Sequence, residues 1–267
     1  MIKKLIAFYR RFNPWHSMLF AMVILTLAGI YDLGIARMLP QVLGAIAAAL
    51  IIELPALKLR LNKIVFPTSA LITALITATV LPFGLSWWQP AVVVAVTLLL
   101  KHLVRPGGKH IFNPAGLAVI LAILLFGIEP GWWNEVYLPL TILLGIYVTY
   151  RMRKAWQVVG YLVSYLVVGF IFLLVGPNPI WSGFSLPAIF SAVPWFFTLF
   201  MIPEPRTSPI SRNQSIVFGA GAALWNLLAL VGFSFGGVIT GLLFANLLWT
   251  IYRLATARQA VTKATQT

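Results

Sequence analysis

Gly107-Gly108-Lys109-His110-Ile111-Phe112-Asn113-Pro114-Ala115-Gly116 lies between two long apolar runs. Inside a bilayer every backbone polar group needs a partner within the protein, so irregular chain near membrane depth survives only where it is buried or lines a cavity. A glycine pair, an asparagine and a proline at the mouth of an apolar helix mark such a place. Interrupted hydrophobic segments also point to binding sites in transporter-like folds. Asn113 precedes Pro114, which biases it away from helical backbone. Pro114 suits a first helical turn, where its missing N–H leaves nothing unsatisfied. Asn113 then reads as an N-cap, with the N–H groups of Ala115, Gly116 and Leu117 aimed at the cap or at an acceptor on a ligand. Gly107, Gly108 and Gly116 permit close backbone approach. A capped loop and a ligand site both agree with these residues.

The surrounding sequence is apolar. Of 267 residues, 61% are hydrophobic and 9% charged, and the mean hydropathy is +0.96; a soluble domain has about a quarter of its residues charged. The chain reads as one all-α integral membrane domain surrounded by the lipid bilayer. A net charge of +14 would suggest nucleic acid in a soluble protein. Here the basic residues cluster between apolar runs, so membrane orientation accounts for them, and no nucleic-acid partner is expected. The lack of cysteine excludes disulfides, iron–sulfur clusters held by cysteine and thiolate-bound haem. His16, His102 and His110 are the only histidines, too few for a pair of bis-histidine haems. No metal site is expected.

Residues 1–16 read as a cytoplasmic or interfacial arm, because the apolar run from Met18 ends in Ile30-Tyr31-Asp32-Leu33 rather than in a small-residue cleavage site. The membrane domain then occupies 17–253 and a cytoplasmic tail 254–267. A spanning helix takes about 20 mostly apolar residues. Ten candidates follow: 17–37, 40–57, 67–83, 88–104, 111–128, 134–150, 157–175, 183–202, 214–232 and 235–253. Several are short, as broken or re-entrant segments would be. With these spans, every lysine and arginine except Arg37 falls on one side. That pattern predicts both termini in the cytoplasm, in the cytoplasmic (inner) membrane of a bacterium or archaeon. Trp87-Trp88 and Trp132-Trp133 fall at the opposite interface. The interruptions Leu81-Pro82-Phe83-Gly84 and Ile202-Pro203-Glu204-Pro205 end the third and eighth spans. Phe112 to Gly116 and Phe235-Gly236-Gly237 open the fifth and tenth. Five-plus-five inverted halves would pair them in this way.

A second polar turn, Pro203 to Gln214, carries Thr207, Ser208, Ser211 and Asn213, with Glu204 and Arg206 in reach of each other. It lies on the same side as Gly107 to Gly116, so the two turns can converge. Ser69, Thr73 and Thr77 recur every four residues and share one helix face, which suits either helix packing or a cavity lining. Asp32 reads as a partner for Arg37, and Glu53 as a partner for Lys58. Glu129 and Glu135 read as solvated.

Taken together, the run Ser69 to Leu75, the Trp87-Trp88 turn, Phe112-Asn113-Pro114-Ala115 within Gly107 to Gly116, Pro205 to Pro209 and Asn246-Leu247-Leu248 resemble the NqrB/RnfD family in content and order, over about residues 66–253. These are flavin-carrying membrane subunits of the sodium-pumping quinone reductase and the Rnf complex. The resemblance implies ten spans in a fold similar to urea-transporter-type channels, built from inverted halves. Family members carry FMN covalently on a threonine in the outer loop after the Phe-Asn-Pro-Ala helix. Here that loop, Phe126 to Glu135, has no threonine, so covalent FMN is not expected.

The resemblance therefore implies a subunit holding a non-covalent flavin, FMN or riboflavin, and relaying electrons beside other redox-complex subunits. The flavin contacts would be Gly107, Gly108, Phe112, Asn113, Pro114, Ala115, Gly116, Thr207 and Ser208. The alternative is a transporter or channel for a small polar solute or for flavin itself, with Ser69, Thr73 and Thr77 lining the path. Urea-transporter-like folds also form homo-oligomers.

Overall fold

Helix follows the apolar sequence almost without interruption. The computed structural model describes residues 13–63, 65–135, 137–175, 192–230 and 237–264, and these form no strand. The helices are α1 (Pro14–Leu33), α2 (Ile35–Leu61), α3 (Thr68–Val80), α4 (Trp88–Leu103), α5 (Pro114–Phe126), α6 (Leu138–Met152), α7 (Ala155–Val175), α8 (Arg212–Leu230) and α9 (Val238–Ala264). A π-helical turn, Phe197–Met201, precedes α8. Most of the expected arm, the first part of the 183–202 span, the end of the 214–232 span and Phe235-Gly236 lie outside the described residues. Among the described residues, three stretches are long and apolar enough to cross a membrane: α1, α2 and Val238–Gln259 within α9. The chain is an integral membrane protein.

The largest departures from the expected boundaries are at the first two helices and at the last, where α9 runs on to Ala264 rather than ending at residue 253. The first span was expected to reach residue 37, but α1 stops at Leu33 because Gly34 adopts φ +97°, a backbone state that suits glycine. The next helix was expected over 40–57. It runs instead from Ile35 to Leu61, with Pro40 and Pro55 inside it and the charged Lys58 and Arg60 in its last turn.

Helices α3 and α5 have 13 residues each. At ~1.5 Å per residue that is about 20 Å, well short of the ~30 Å hydrocarbon core. Their free carbonyls must therefore find partners inside the protein. At the C-terminal end of α3, the amide of Gln41 on α2 donates to Ala78 O (2.7 Å) and Pro82 O (3.0 Å). Gln41 Oε1 accepts from Leu85 N–H at 3.1 Å. The N–H groups of Gly131 and Trp132 both reach Val80 O. Trp133 was expected at the membrane interface. It is buried, and its indole N–H donates to Ala78 O at 2.9 Å. Trp87 and Trp88 remain exposed.

The same devices recur later in the chain. Gln41-Val42-Leu43-Gly44 on α2 is matched by Gln157-Val158-Val159-Gly160 on α7. Gln157 donates to Ile202 O (3.3 Å), just before Pro203, much as Gln41 reaches the carbonyls before and at Pro82. A Cβ on Gly44 would lie 2.2 Å from Trp87 O, and one on Gly160 would lie 2.4 Å from Ile216 O. Both glycines thus let a helix lie against the backbone at the start of another. α2 packs chiefly on α4, and α7 chiefly on α8; α4 packs on α5, and α8 on α9. α1 also meets α6, and α5 meets α9.

Asp32 and Glu135, on the far side from the polar turns' carboxylates, each find a partner other than the expected one. Asp32 accepts a hydrogen bond from the Tyr137 hydroxyl at 3.2 Å rather than pairing with Arg37. Glu135 is half-buried and accepts from Phe196 N–H at 2.6 Å; burial pushes its carboxyl above the usual range.

Candidate functional site

Asn113 caps α5 as the sequence predicts, its Oδ1 accepting from Gly116 N–H at 3.1 Å. Its remaining groups are committed to the protein. The backbone N–H donates to Asn246 Oδ1 on α9 at 2.8 Å, and Nδ2 donates to Met201 O at 3.0 Å. Asn246 in turn donates to Thr207 O at 3.1 Å. The two polar turns therefore converge, joined through the middle of α9. Asn113, Pro114, Ala115 and Gly116 are buried, and Gly116 lies close against Leu243 of α9.

The second turn is buried as well. Thr207 and Ser208 are 2% and 4% exposed. Thr207 Oγ1 donates to Glu204 Oε2. Ser208 Oγ lies 2.5 Å from Glu204 O and 3.3 Å from Gln157 Oε1. Lys154, in the tight turn between α6 and α7, donates to Ser208 Oγ at 3.0 Å and Pro209 O at 2.5 Å. Burial pulls the Lys154 ammonium down to about 8, the Glu204 carboxylate opposing the shift. Glu204 was expected beside Arg206; it faces His110 Nε2 at 3.5 Å. Gly107 and Gly108 lie apart from this buried knot, exposed in a short turn held by Arg105 and Arg253.

Two cavities border the knot. A niche of about 130 Å³ lies between α4 and the start of α5, lined in part by Thr97, Lys101, His110, Phe112 and Pro114. Thr97 Oγ1 is fully buried there and has no hydrogen-bond partner among the described residues. A larger cavity of about 440 Å³ lies across Lys101 and His110, which line both. Glu53 of α2 sits in its wall, Oε1 2.9 Å from Lys101 Nζ and Oε2 2.9 Å from His102 Nε2. Ser69 lines this cavity with its Oγ 3.5 Å from Lys101 Nζ. Thr73 and Thr77, on the same face of α3, are buried among the helices.

The sequence reading missed this cluster. In the sequence Lys101 counts only among the basic residues that mark one side of the membrane, and Lys58 is the nearest partner for Glu53. Lys101 is instead in α4, 6% exposed, and crosses to Glu53. The available signal was a lone carboxylate deep in one apolar helix and a Lys-His pair ending another.

Residues 14–136 match the sequence model of the NQR2, RnfD, RnfE family. Three similar proteins are each named as the D subunit of an ion-translocating oxidoreductase complex. That of Shewanella piezotolerans is 34% identical over 100 residues, 36% of this chain and 29% of the relative. That of Aliivibrio salmonicida is 32% identical over 136 residues, 49% of this chain and 37% of the relative. That of Buchnera aphidicola is 28% identical over 127 residues, 45% of this chain and 36% of the relative. The matched segments thus span about a third of those relatives. The family match takes in Ser69 to Leu75 and Gly107 to Gly116 but stops before Pro205 to Pro209 and Asn246.

Proposed function

From this family match we propose that the protein is a membrane subunit of an ion-translocating oxidoreductase complex, of the NQR2, RnfD, RnfE type, and that it holds a non-covalent flavin beside the convergent polar turns. The observation that carries the reading is the pair of adjoining cavities at Phe112, His110 and Lys101, against the buried knot of Asn113, Asn246 and Thr207. The larger cavity falls in the range of about 300–1,000 Å³ common for small-molecule sites; the niche alone does not.

The residues present fit a flavin. Phe112 offers an aromatic face, and Thr97 offers a buried hydroxyl with no partner among the described residues. Lys101 and His110 stand on the wall shared by both cavities and supply polar donors. Phe112 to Gly116, Thr207 and Ser208 frame the site, with Gly107 and Gly108 in the exposed turn outside it; Asn113, Thr207 and Ser208 are committed to holding that frame. Bound there, the flavin supplies the electron transfer, and the chain positions it and tunes its surroundings. No threonine stands in Phe126 to Glu135 to carry a covalent FMN.

The same reading includes two inverted halves of five segments, in the cytoplasmic membrane with both cavities facing the cytoplasm. The paired Gln-Val-x-Gly segments and the matching helix partnerships support it. Assembly with other redox subunits follows from the relatives' names.

Phe112→Ala, in protein purified from flavin-replete cells, tests the placement. We expect flavin retention to fall at least about tenfold, the loss of one stacking contact and its packing, with the unfolding temperature little changed. Unchanged retention would overturn the placement. A colourless wild-type protein that carries solute across liposomes would favour transport instead.

A further inference from the structure

The larger cavity is crowded with cations. Arg60 at the end of α2, Arg105 after α4 and Arg206 in the second polar turn all line it. Three segments distant in sequence thus bring guanidinium groups to one opening. Among the described residues none of the three is ion-paired. Glu53, the carboxylate in the cavity wall, is already held by Lys101 and His102. Arg105 keeps one contact, to Gly108 O at 2.7 Å, while its Nε is buried with no partner. Arg206 rests over the Trp15 ring at 5.4 Å. Arg105 is held below the usual guanidinium range, first by burial and then by Arg60 and Arg206.

A bias of positive charge toward one side of a membrane explains arginines on that side. It does not explain three of them meeting around one cavity of about 440 Å³, at mutual electrostatic cost. Guanidinium groups bind phosphate through paired, charge-assisted hydrogen bonds, and an anion of that kind would offset their repulsion.

We propose that this cavity binds a phosphate group, with Arg60, Arg105 and Arg206 as its ligands. On the flavin reading above, the phosphate is that of FMN, and the cavity is what distinguishes FMN from riboflavin. The shared chemistry also admits free phosphate or the headgroup of an acidic lipid.

The full chain, stripped of flavin and placed in phosphatidylcholine nanodiscs, tests this. FMN and riboflavin binding would be read by quenching of flavin fluorescence, with inorganic phosphate as competitor. FMN should bind at least about tenfold tighter than riboflavin, and phosphate should compete with FMN alone. Arg105→Gln with Arg206→Gln should bring FMN down to the affinity of riboflavin. Arg60→Gln, at an exposed residue whose loss leaves packing intact, should shift FMN in the same direction by a smaller factor.

Equal binding of FMN and riboflavin, with no competition by phosphate, would overturn the phosphate site and leave the flavin reading standing. If neither flavin binds, the flavin reading falls. The phosphate site then stands if inorganic phosphate raises the unfolding temperature of the wild type but not of the double variant. It also stands, with lipid as the source, if phosphatidylglycerol in the nanodiscs has that effect. No charge-dependent response to any of these would overturn it.

Discussion

Asn113 and Asn246, 133 positions apart, share a buried hydrogen bond of 2.8 Å from the backbone N–H at the mouth of α5 to the side-chain oxygen in the middle of α9. Asn246 passes the connection on to Thr207 O at 3.1 Å. One fully buried side chain therefore fixes both polar turns beside the cavities. Asn246→Leu would strand Asn113 N–H and Thr207 C=O away from water. An unsatisfied buried polar group costs about 1–3 kcal/mol, so thermal unfolding should show a loss of about 2–4 kcal/mol, with weaker flavin retention. Wild-type stability in this variant would remove the knot from the account.

The Glu53–Lys101–His102 cluster makes a sharper prediction. Glu53→Gln leaves the Lys101 ammonium buried without its carboxylate. Breaking one side of a buried pair costs about 3–5 kcal/mol, while replacing both charges with apolar groups is often neutral. Glu53→Gln should therefore lower the unfolding temperature sharply, and Glu53→Leu with Lys101→Met should recover most of it. A double variant as unstable as the single would show that the cavity wall needs these charges for more than pairing.

Helix contact through glycine is tested by two positions on one helix. A Cβ on Gly219 would lie 2.1 Å from Gln157 O and 2.8 Å from Tyr161 N, whereas one on Gly221 would meet nothing within 4 Å. Gly219→Ala must push α8 off α7 and should cost about 2–3 kcal/mol. Gly221→Ala should be neutral or stabilise by about 0.5–1 kcal/mol, because alanine suits a helix interior better than glycine does. Equal effects in thermal unfolding would contradict the close approach of α7 and α8.

Lys154 predicts a pH dependence. Its ammonium is lowered from 10.5 to about 8 in the folded protein, chiefly by burial. Between these values the unfolded chain binds more protons than the folded one, so stability rises with pH. Below about 8 the folded state carries the full burial penalty of the charged lysine. Wild-type unfolding temperature should therefore climb from pH 8 toward 9.5 relative to Lys154→Met. Parallel profiles would contradict the shift.

Much of this arrangement was legible in the sequence because each signal was local. Asn113-Pro114 specified a helix start, and both polar turns fell on one side in the charge pattern, so their convergence was foreseeable. Gly34 hid the boundary between α1 and α2, since a glycine within an apolar run is compatible with helix until its φ is known. The pairing of Glu53 with Lys101 was illegible for a different reason. Lys58 lies nearer in sequence, and only the packing of α2 on α4 brings Lys101 closer. Trp133 was misread in the same way: a Trp pair suggests an interface, but its indole N–H satisfies a carbonyl at the broken end of α3. The cavity arginines come from three separate segments, so no motif announced them.

The absorbance spectrum of the protein purified from flavin-replete cells, taken before and after denaturation and filtration, tests the central claim most directly. The account predicts a flavin band that passes entirely into the filtrate once the chain unfolds. A protein with no flavin band, or one whose flavin stays with the unfolded chain, would contradict it.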